Sequence, residues 1–369
     1  MNLPASSPAP LPPPPFSPAP LPLAPLPPAP CTPEKADDFL STPTPEVVAA
    51  VAALPDGPVV VLGAGGKMGL HLSLMLRKAA IAAGQAGRRV IAVSRFSTLR
   101  DRDSFARAGI DTIACDLSVP ANVDALPDAP TVFFLAGVKF GTAASPLLLE
   151  RMNVTVPRLA ATRYRHSRIV AFSTGCVYPF APVGTRGCDE SVTPAPVGDY
   201  ARSCLLREQA FAAMSRDAGT PVVLIRLNYA VEFRYGVLVD IATKVRDGLP
   251  VDVTTGHVNV IWQTDALAHI IRAASLATSP AVPLNITGAG VHRVRDIAAA
   301  FGELFKIPPL ITGNEAPTAW LNDASHSHRL FGAPPTSPAT MRQWIASWLA
   351  SNGHTWDKPT GFEKRDGKF

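Results

Sequence analysis

Between residues 58 and 227 the chain alternates two textures. Short aliphatic and β-branched runs, "PVVVLG" (58–63), "RRVIAVS" (88–94), "DTIAC" (111–115), "TVFFLAG" (131–137), "RIVAFST" (168–174) and "PVVLIRL" (221–227), are separated by longer stretches with apolar positions at helical spacing. A run without polar alternation belongs to a strand buried on both faces. Such strands alternating with helices predict an α/β fold, a parallel sheet covered by helices on both sides. Beyond residue 227 the pattern loosens: a helix is expected over about 235–247, a strand over "VNVIW" (258–262), and helices near 264–277, 294–305 and 340–351. These elements are expected to complete the sheet at about 257–280 and otherwise to build a smaller C-terminal lobe at the edge where open α/β folds bind ligands.

Residues 1–50 read differently. "MNLPASSPAPLPPPPFSPAPLPLAPLPPAPCTPEK" is proline, alanine and leucine with almost no charge. Such a segment cannot bury a core and its prolines remove backbone donors, so a disordered, polyproline-like tail is expected over 1–50. No basic stretch precedes an apolar core, which argues against a signal peptide. A PxxP ligand for a partner is the functional alternative.

Composition narrows the class. The 369 residues are 47% hydrophobic and 17% charged, enough for one large core or two modest ones. No uninterrupted apolar run of about 18 residues occurs, so no membrane span is expected. The net charge of +5 is spread along the chain, which gives little support to nucleic-acid binding. Five cysteines (Cys31, Cys115, Cys176, Cys188, Cys204) without CxxC spacing fit a reduced, cytoplasmic protein. His326 and His328 lack a third ligand nearby, so no metal site is expected.

Directly after the first strand stands "GAGGKMG", with Gly63, Gly66 and Gly69 at GxxGxxG spacing and Lys67 and Met68 between them. Glycines here permit a tight turn, let backbone approach a pyrophosphate, and let the next helix pack close with its N–H groups facing the phosphates. A Rossmann-like, doubly wound dinucleotide-binding domain over 56–226 is therefore expected, with 227–369 forming mainly the substrate lobe. The second strand ends in Ser94 and Arg95 where a cofactor with a free 2′-hydroxyl usually meets a carboxylate. A guanidinium suits a 2′-phosphate, which favours NADP with NAD as the alternative. Lys67 is expected to add a second cation at the adenosine end. Asp116, followed by Leu117, is placed to contact the adenine or to cap the next helix, and Ala136 follows the fourth strand beside the cofactor.

With "GAGGKMG", "FFLAG", "FSTGCVYP", "DYARSC" and "NVIWQTDALAHII" in view, the chain from about 58 to about 350 resembles the extended short-chain dehydrogenase/reductases of the NAD-dependent epimerase/dehydratase type. The resemblance implies that Thr174 steadies the substrate oxygen and that Tyr200 moves its proton as hydride passes to or from the nicotinamide. Tyr178 is expected to be structural. The resemblance also implies a homodimer through the helices after the fourth and fifth strands, and a sugar-like substrate, free or as a nucleotide sugar.

One position departs from the family pattern. Four residues after the tyrosine, where the family keeps a lysine that holds the ribose and lowers the tyrosine pKa, stands Cys204. It is expected to pack or to touch the ribose passively. An unassisted tyrosine with a pKa of about 10 is phenolate only about once in a thousand at pH 7, and losing the poise costs about 4 kcal/mol. Lys139, just past the fourth strand, is the first choice to stand in; Arg207 is two turns along the helix and expected to be too distant; Arg202 is expected to be solvated. In "RLNYAVEFRYGVL", Asn228, Glu232, Arg234 and Tyr235 are expected to line a polar pocket suited to a polyol. The reading is an NAD(P)-dependent oxidoreductase or epimerase; a non-catalytic dinucleotide-binding sensor or scaffold is the alternative.

Overall fold

The computed structural model describes residues 30, 32–97, 102–139 and 145–367. Its centre is a parallel sheet of seven strands: β1 (Val59–Leu62), β2 (Val90–Ser94), β3 (Asp111–Ala114), β4 (Thr131–Phe134), β5 (Arg168–Thr174), β6 (Val222–Leu227) and β7 (Val282–Ile286). Their order across the sheet is β7-β6-β5-β4-β1-β2-β3. The chain reverses direction across the sheet between β1 and β4, and that switch opens a crevice at the strands' C-terminal ends.

The helices used below are α1 (Pro33–Leu40), α2 (Pro45–Ala52), α3 (Gly69–Ala82), α4 (Val156–Arg163), α5 (Asp199–Ala218), α6 (Val237–Arg246), α7 (Gln263–Arg272), α8 (Val294–Phe305) and α9 (Pro338–Ala350). Side chains alternate across a strand, so β1 serves two cores. Val59 and Val61 pack with Val47, Met75, Leu76, Leu267 and Ile271 from α2, α3 and α7. Val60 and Leu62 pack with Val156, Ala160 and Phe211 from α4 and α5. A third core forms the second lobe, where α1, α6, α8 and α9 close around Phe233, Trp262, Trp344 and Trp348. Among the described residues no helix is long and apolar enough to cross a membrane.

Two expectations are corrected. The tail does not extend to residue 50: α1 and α2 are folded, with Ala36, Leu40, Val47 and Val51 buried. Thr32 and Thr44 cap these helices through their hydroxyls, each followed by a proline in the first turn and then a glutamate. A proline at that position loses no helical hydrogen bond, and the glutamate favours the positive end of the helix dipole. The expected PxxP stretch in residues 1–29 lies outside the described residues. The run 258–262 divides into His257–Val258 and Ile261–Trp262, which pair outside the main sheet. The sheet is instead completed by β7, whose Pro283 a sheet edge tolerates.

Candidate active site

The glycine loop joins β1 to α3. Gly63 has φ +86°, and a Cβ there would lie 2.5 Å from the backbone N of Ala136. A Cβ on Gly69 would lie 2.3 Å from the carbonyl oxygen of Ala64, so α3 starts tight against the loop. At Gly66 a Cβ would meet only the Gly63 carbonyl, at 3.3 Å, and this exposed face leaves room for a phosphate. Met68 caps α3 without any side-chain hydrogen bond, so the helix keeps N–H groups for an anion. The arrangement fits a dinucleotide.

The adjoining cleft is lined by Gly63, Gly66, Ser94, Arg95, Asp116, Leu117 and Ala136, together with Met152 from the helix after β4. Arg95 is exposed at the end of β2. Asp116 accepts from the Ser118 hydroxyl (2.7 Å) and its N–H (2.9 Å), and these bonds hold its carboxyl below the usual carboxylate range. The carboxylate thus shapes the turn ahead of Pro120–Asp124 while forming the cleft wall.

Lys67 is not at the adenosine end. Its ammonium sits 3.0 Å above the centre of the Tyr235 ring, drawn to an aromatic face and to the charges of Glu232 and Asp240. Burial, then the neighbouring Lys139 and Lys358, push it well below the ordinary lysine pKa.

Thr174 ends β5, almost buried, with its hydroxyl accepting from the N–H of Cys176 at 3.2 Å. Its neighbour Ser173 points elsewhere and donates to Glu208 at 2.6 Å. Glu208 in turn pairs with Arg226 at 2.8 Å, and Arg226 donates to the Tyr178 hydroxyl at 2.8 Å. Tyr178 is fully buried in this brace, in keeping with a structural part.

Tyr200 lies in the first turn of α5, and its hydroxyl donates to the sulfur of Cys204 one turn on. Burial first, then Cys204 and Cys176, push the tyrosine well above its ordinary pKa, while Arg207 pulls it down. Cys204 is fully buried with Tyr178, Ala319 and Leu321. It is therefore a packing residue bonded to the tyrosine, the first of the two parts expected of it.

Arg207 reaches further than expected. A long side chain on a helix leans toward the preceding turn, and this one extends to donate to the carbonyl of Phe172 (3.1 Å) and to Asn153 (2.7 Å). Its charge acts on Tyr200 from there. The Lys139 ammonium lies 5.8 Å from the centre of the Tyr200 ring and donates to the carbonyl of Thr360 at 3.2 Å. Burial lowers its pKa, while Cys176, Cys204 and Asp240 act in the opposite sense. Arg202 forms an exposed pair with Asp199.

Asn153 was not anticipated. Its side chain accepts from the N–H of Val138 and donates to the carbonyl of Val138, both at 2.9 Å, and also donates to Ser203. It thereby fixes the backbone immediately before Lys139 and ties it to α5. Asn153 belongs to a π-helical turn, Arg151–Thr155, a distortion frequent near functional sites. The sequence signal was weak: in "RMNVTV" Asn153 is one of three polar residues alternating with apolar ones, beside Arg151 and Thr155.

The expected polyol pocket is the largest correction. Glu232 and Arg234 are buried, 1% and 2% exposed, and pair with each other at 3.1 Å. Arg234 also pairs with Asp37 of α1 at 2.8 Å, Asp37 with His71 of α3 at 2.8 Å, and Gln263 with His71 at 2.6 Å. This network docks α1 onto the second lobe, so both residues are engaged in the protein interior. Asn228 is buried and donates to the carbonyl of Trp320 at 3.2 Å.

No curated protein sequence matches the chain. Among solved structures, MoeE5 in complex with UDP-glucose and NAD is similar at 21% identity and a TM-score of 0.65, over 80% of this chain and 99% of that one. UDP-glucose 4-epimerase of Thermus thermophilus, in complex with NAD, is similar at 19% identity and a TM-score of 0.65, over 79% and 99%. The epimerase Mth375 of Methanothermobacter thermautotrophicus is similar at 18% identity and a TM-score of 0.69, over 84% and 96%. These likenesses carry the fold. Family membership rests on residues 59–250, just over half of the chain, and on the glycine loop, sheet and tyrosine helix described above: the chain belongs to the NAD dependent epimerase/dehydratase family.

Proposed function

We propose that the chain moves hydride between a nicotinamide dinucleotide and a secondary alcohol or ketone of a sugar or nucleotide sugar, as an oxidoreductase or epimerase. The observation that carries this reading is a cation delivered to the tyrosine despite the missing lysine: Lys139 stands 5.8 Å from the Tyr200 ring. Tyr200 takes the proton of the substrate hydroxyl in the oxidative direction and returns it in the reductive one. Thr174 donates to the substrate oxygen and orients it. Lys139 and Arg207 favour the phenolate, opposing the burial that raises the tyrosine pKa. The bound nicotinamide supplies the hydride acceptor and donor.

Gly63, Gly66 and the start of α3 would hold the diphosphate, and Asp116 and Leu117 the adenine side. Arg95, exposed at the cleft, favours NADP, while NAD in the structural neighbours keeps NAD as the alternative. UDP-glucose in one neighbour supports a nucleotide sugar as the first substrate class to test. Leu147 and Leu206, 80% and 43% exposed on the helices after β4 and β5, support a homodimer through that face.

The second reading, a binding protein without chemistry, is favoured by the hydrogen bond to the Cys204 sulfur, which keeps the proton on Tyr200. The deciding experiment supplies NADP+ or NAD+ with UDP-sugars, sugars and sugar acids, following both nicotinamide reduction and epimer formation. Turnover that disappears in Tyr200→Phe is expected. Dinucleotide binding with no turnover in either direction would leave the binding protein.

A further inference from the structure

Residues 354–367 run back across the second lobe to the front of α5. The Trp356 N–H donates to the carbonyl of Arg234 at 3.2 Å, Phe362 is buried in the lobe core, and Arg365 donates to the Thr318 carbonyl at 2.6 Å. At the far end, Gly367 packs on Gly198, the residue before α5; a Cβ on Gly198 would lie 2.6 Å from its Cα. Midway, Thr360 joins two charged groups. Its N–H and hydroxyl donate to one carboxylate oxygen of Asp240 in α6, at 2.7 and 2.6 Å. Its carbonyl accepts from Lys139 at 3.2 Å.

In the family pattern the tyrosine's lysine is placed by the helix that carries both. Here the cation comes from the loop after β4, on a flexible stem, and needs an anchor from outside that helix. Asn153 fixes the root of the stem; Thr360 holds its tip. We infer that Thr360 and Asp240 are positioning residues for Lys139, so that the C-terminal segment, through this relay, sets the charge and place of the cation that serves Tyr200. The inference rests on the proposed acid–base role of Tyr200.

The charges facing the relay set its sign. Lys139 faces Asp240, Cys176, Cys204 and Lys67. Asp240 faces Glu363, Lys244, Tyr235 and Lys67, and burial raises its carboxyl to about 6. Above that pH Asp240 is charged and favours the ammonium of Lys139; removing the charge lets burial prevail and deprotonates Lys139 sooner. The tyrosine then loses part of its support.

The test uses Asp240→Asn, Thr360→Val and Thr360→Ser in the full chain. In cofactor-free protein, the carbon-13 shift of the Lys139 Cε, assigned by its loss in Lys139→Met, reports the ammonium pKa directly. A fall of about one unit is expected in Asp240→Asn and a smaller fall in Thr360→Val, which keeps the backbone contacts to Lys139 and Asp240 and loses only the hydroxyl bond, with Thr360→Ser restoring the wild-type value. In turnover, kcat near neutral pH falls up to about tenfold in Asp240→Asn and less in Thr360→Val, its pH limb moves up correspondingly, and KM is little changed. Should Asp240→Asn fail to fold, the two Thr360 variants still decide. Wild-type titration of Lys139 in Thr360→Val and in every folded Asp240 variant overturns the inference while leaving the acid–base reading intact. Wild-type kinetics in Lys139→Met likewise overturn the positioning role, whereas unchanged turnover in Tyr200→Phe overturns the reading beneath it and the positioning role with it.

Discussion

Replacing Lys139 by methionine keeps the length of the stem and removes only its charge. With the ammonium 5.8 Å from the ring centre, a Coulomb interaction at an effective dielectric constant of about 20 is about 3 kcal/mol. At 1.36 kcal/mol per unit this is about two pKa units on Tyr200, or about a hundredfold in its phenolate fraction. A cation favours the phenolate, so its removal raises the tyrosine pKa and the loss is greatest on the acid side. In the oxidative direction, kcat/KM of Lys139→Met should therefore be about a hundredfold lower at neutral pH, and should approach wild type as pH rises past the shifted limb. The assay is a pH profile of wild type and variant, repeated in a Tyr200→Phe background, where Lys139→Met should add little if both act on one proton. A uniform loss at every pH with an unmoved limb, or full additivity with Tyr200→Phe, would refute the reasoning.

Asp265 is buried, accepts from the N–H of Thr336 at 3.0 Å, and burial raises its carboxyl to about 6. A raised folded pKa adds stability below the unfolded value near 4 and withdraws it as pH climbs through 6, so between pH 4 and 8 wild type should lose about 3 kcal/mol relative to Asp265→Asn in urea unfolding. Equal pH dependence of the two chains would contradict this. Arg234→Met removes the partner of two carboxylates in the interior, and should cost about 3–5 kcal/mol and expose α1 to proteolysis, with stability regained when Glu232 and Asp37 are also made apolar. A loss below about 1 kcal/mol, typical of surface pairs, would mean that the network contributes little.

The parts of this molecule legible in the sequence are those written locally. Strands β1, β2, β4 and β5 announced themselves as unbroken apolar runs, and the loop Gly63–Gly69 sits directly between a strand and a helix. Thr174 and Tyr200 could be picked out because their neighbours repeat a family pattern. Proline misled at the N-terminal side, where Pro33 and Pro45 each start a helix within the stretch expected to be a tail, and β7, with Pro283 at the sheet edge, carried no strand signal. Side-chain direction was the other obstacle. "EFR" reads equally as a ligand pocket or as half of a buried network, and its partner Asp37 lies 197 residues earlier. Lys67 shares its loop with Gly63 and Gly66, which line the cleft, yet its ammonium turns to the Tyr235 ring. Thr360 and Asp240 carry no motif, and only folding brings them to Lys139.

The contact between Lys139 and Thr360 joins positions 221 apart in sequence, and that between Asp37 and Arg234 spans 197. Each closes a long loop whose entropy must be met before the contact gives anything back, so neither belongs to an early, local folding event. A ribosome releases the glycine loop and Tyr200 well before Thr360. The emerging chain can therefore hold the glycine loop and α5 while Lys139 still lacks its Thr360 anchor, and whatever depends on that contact arrives as a separate, later step.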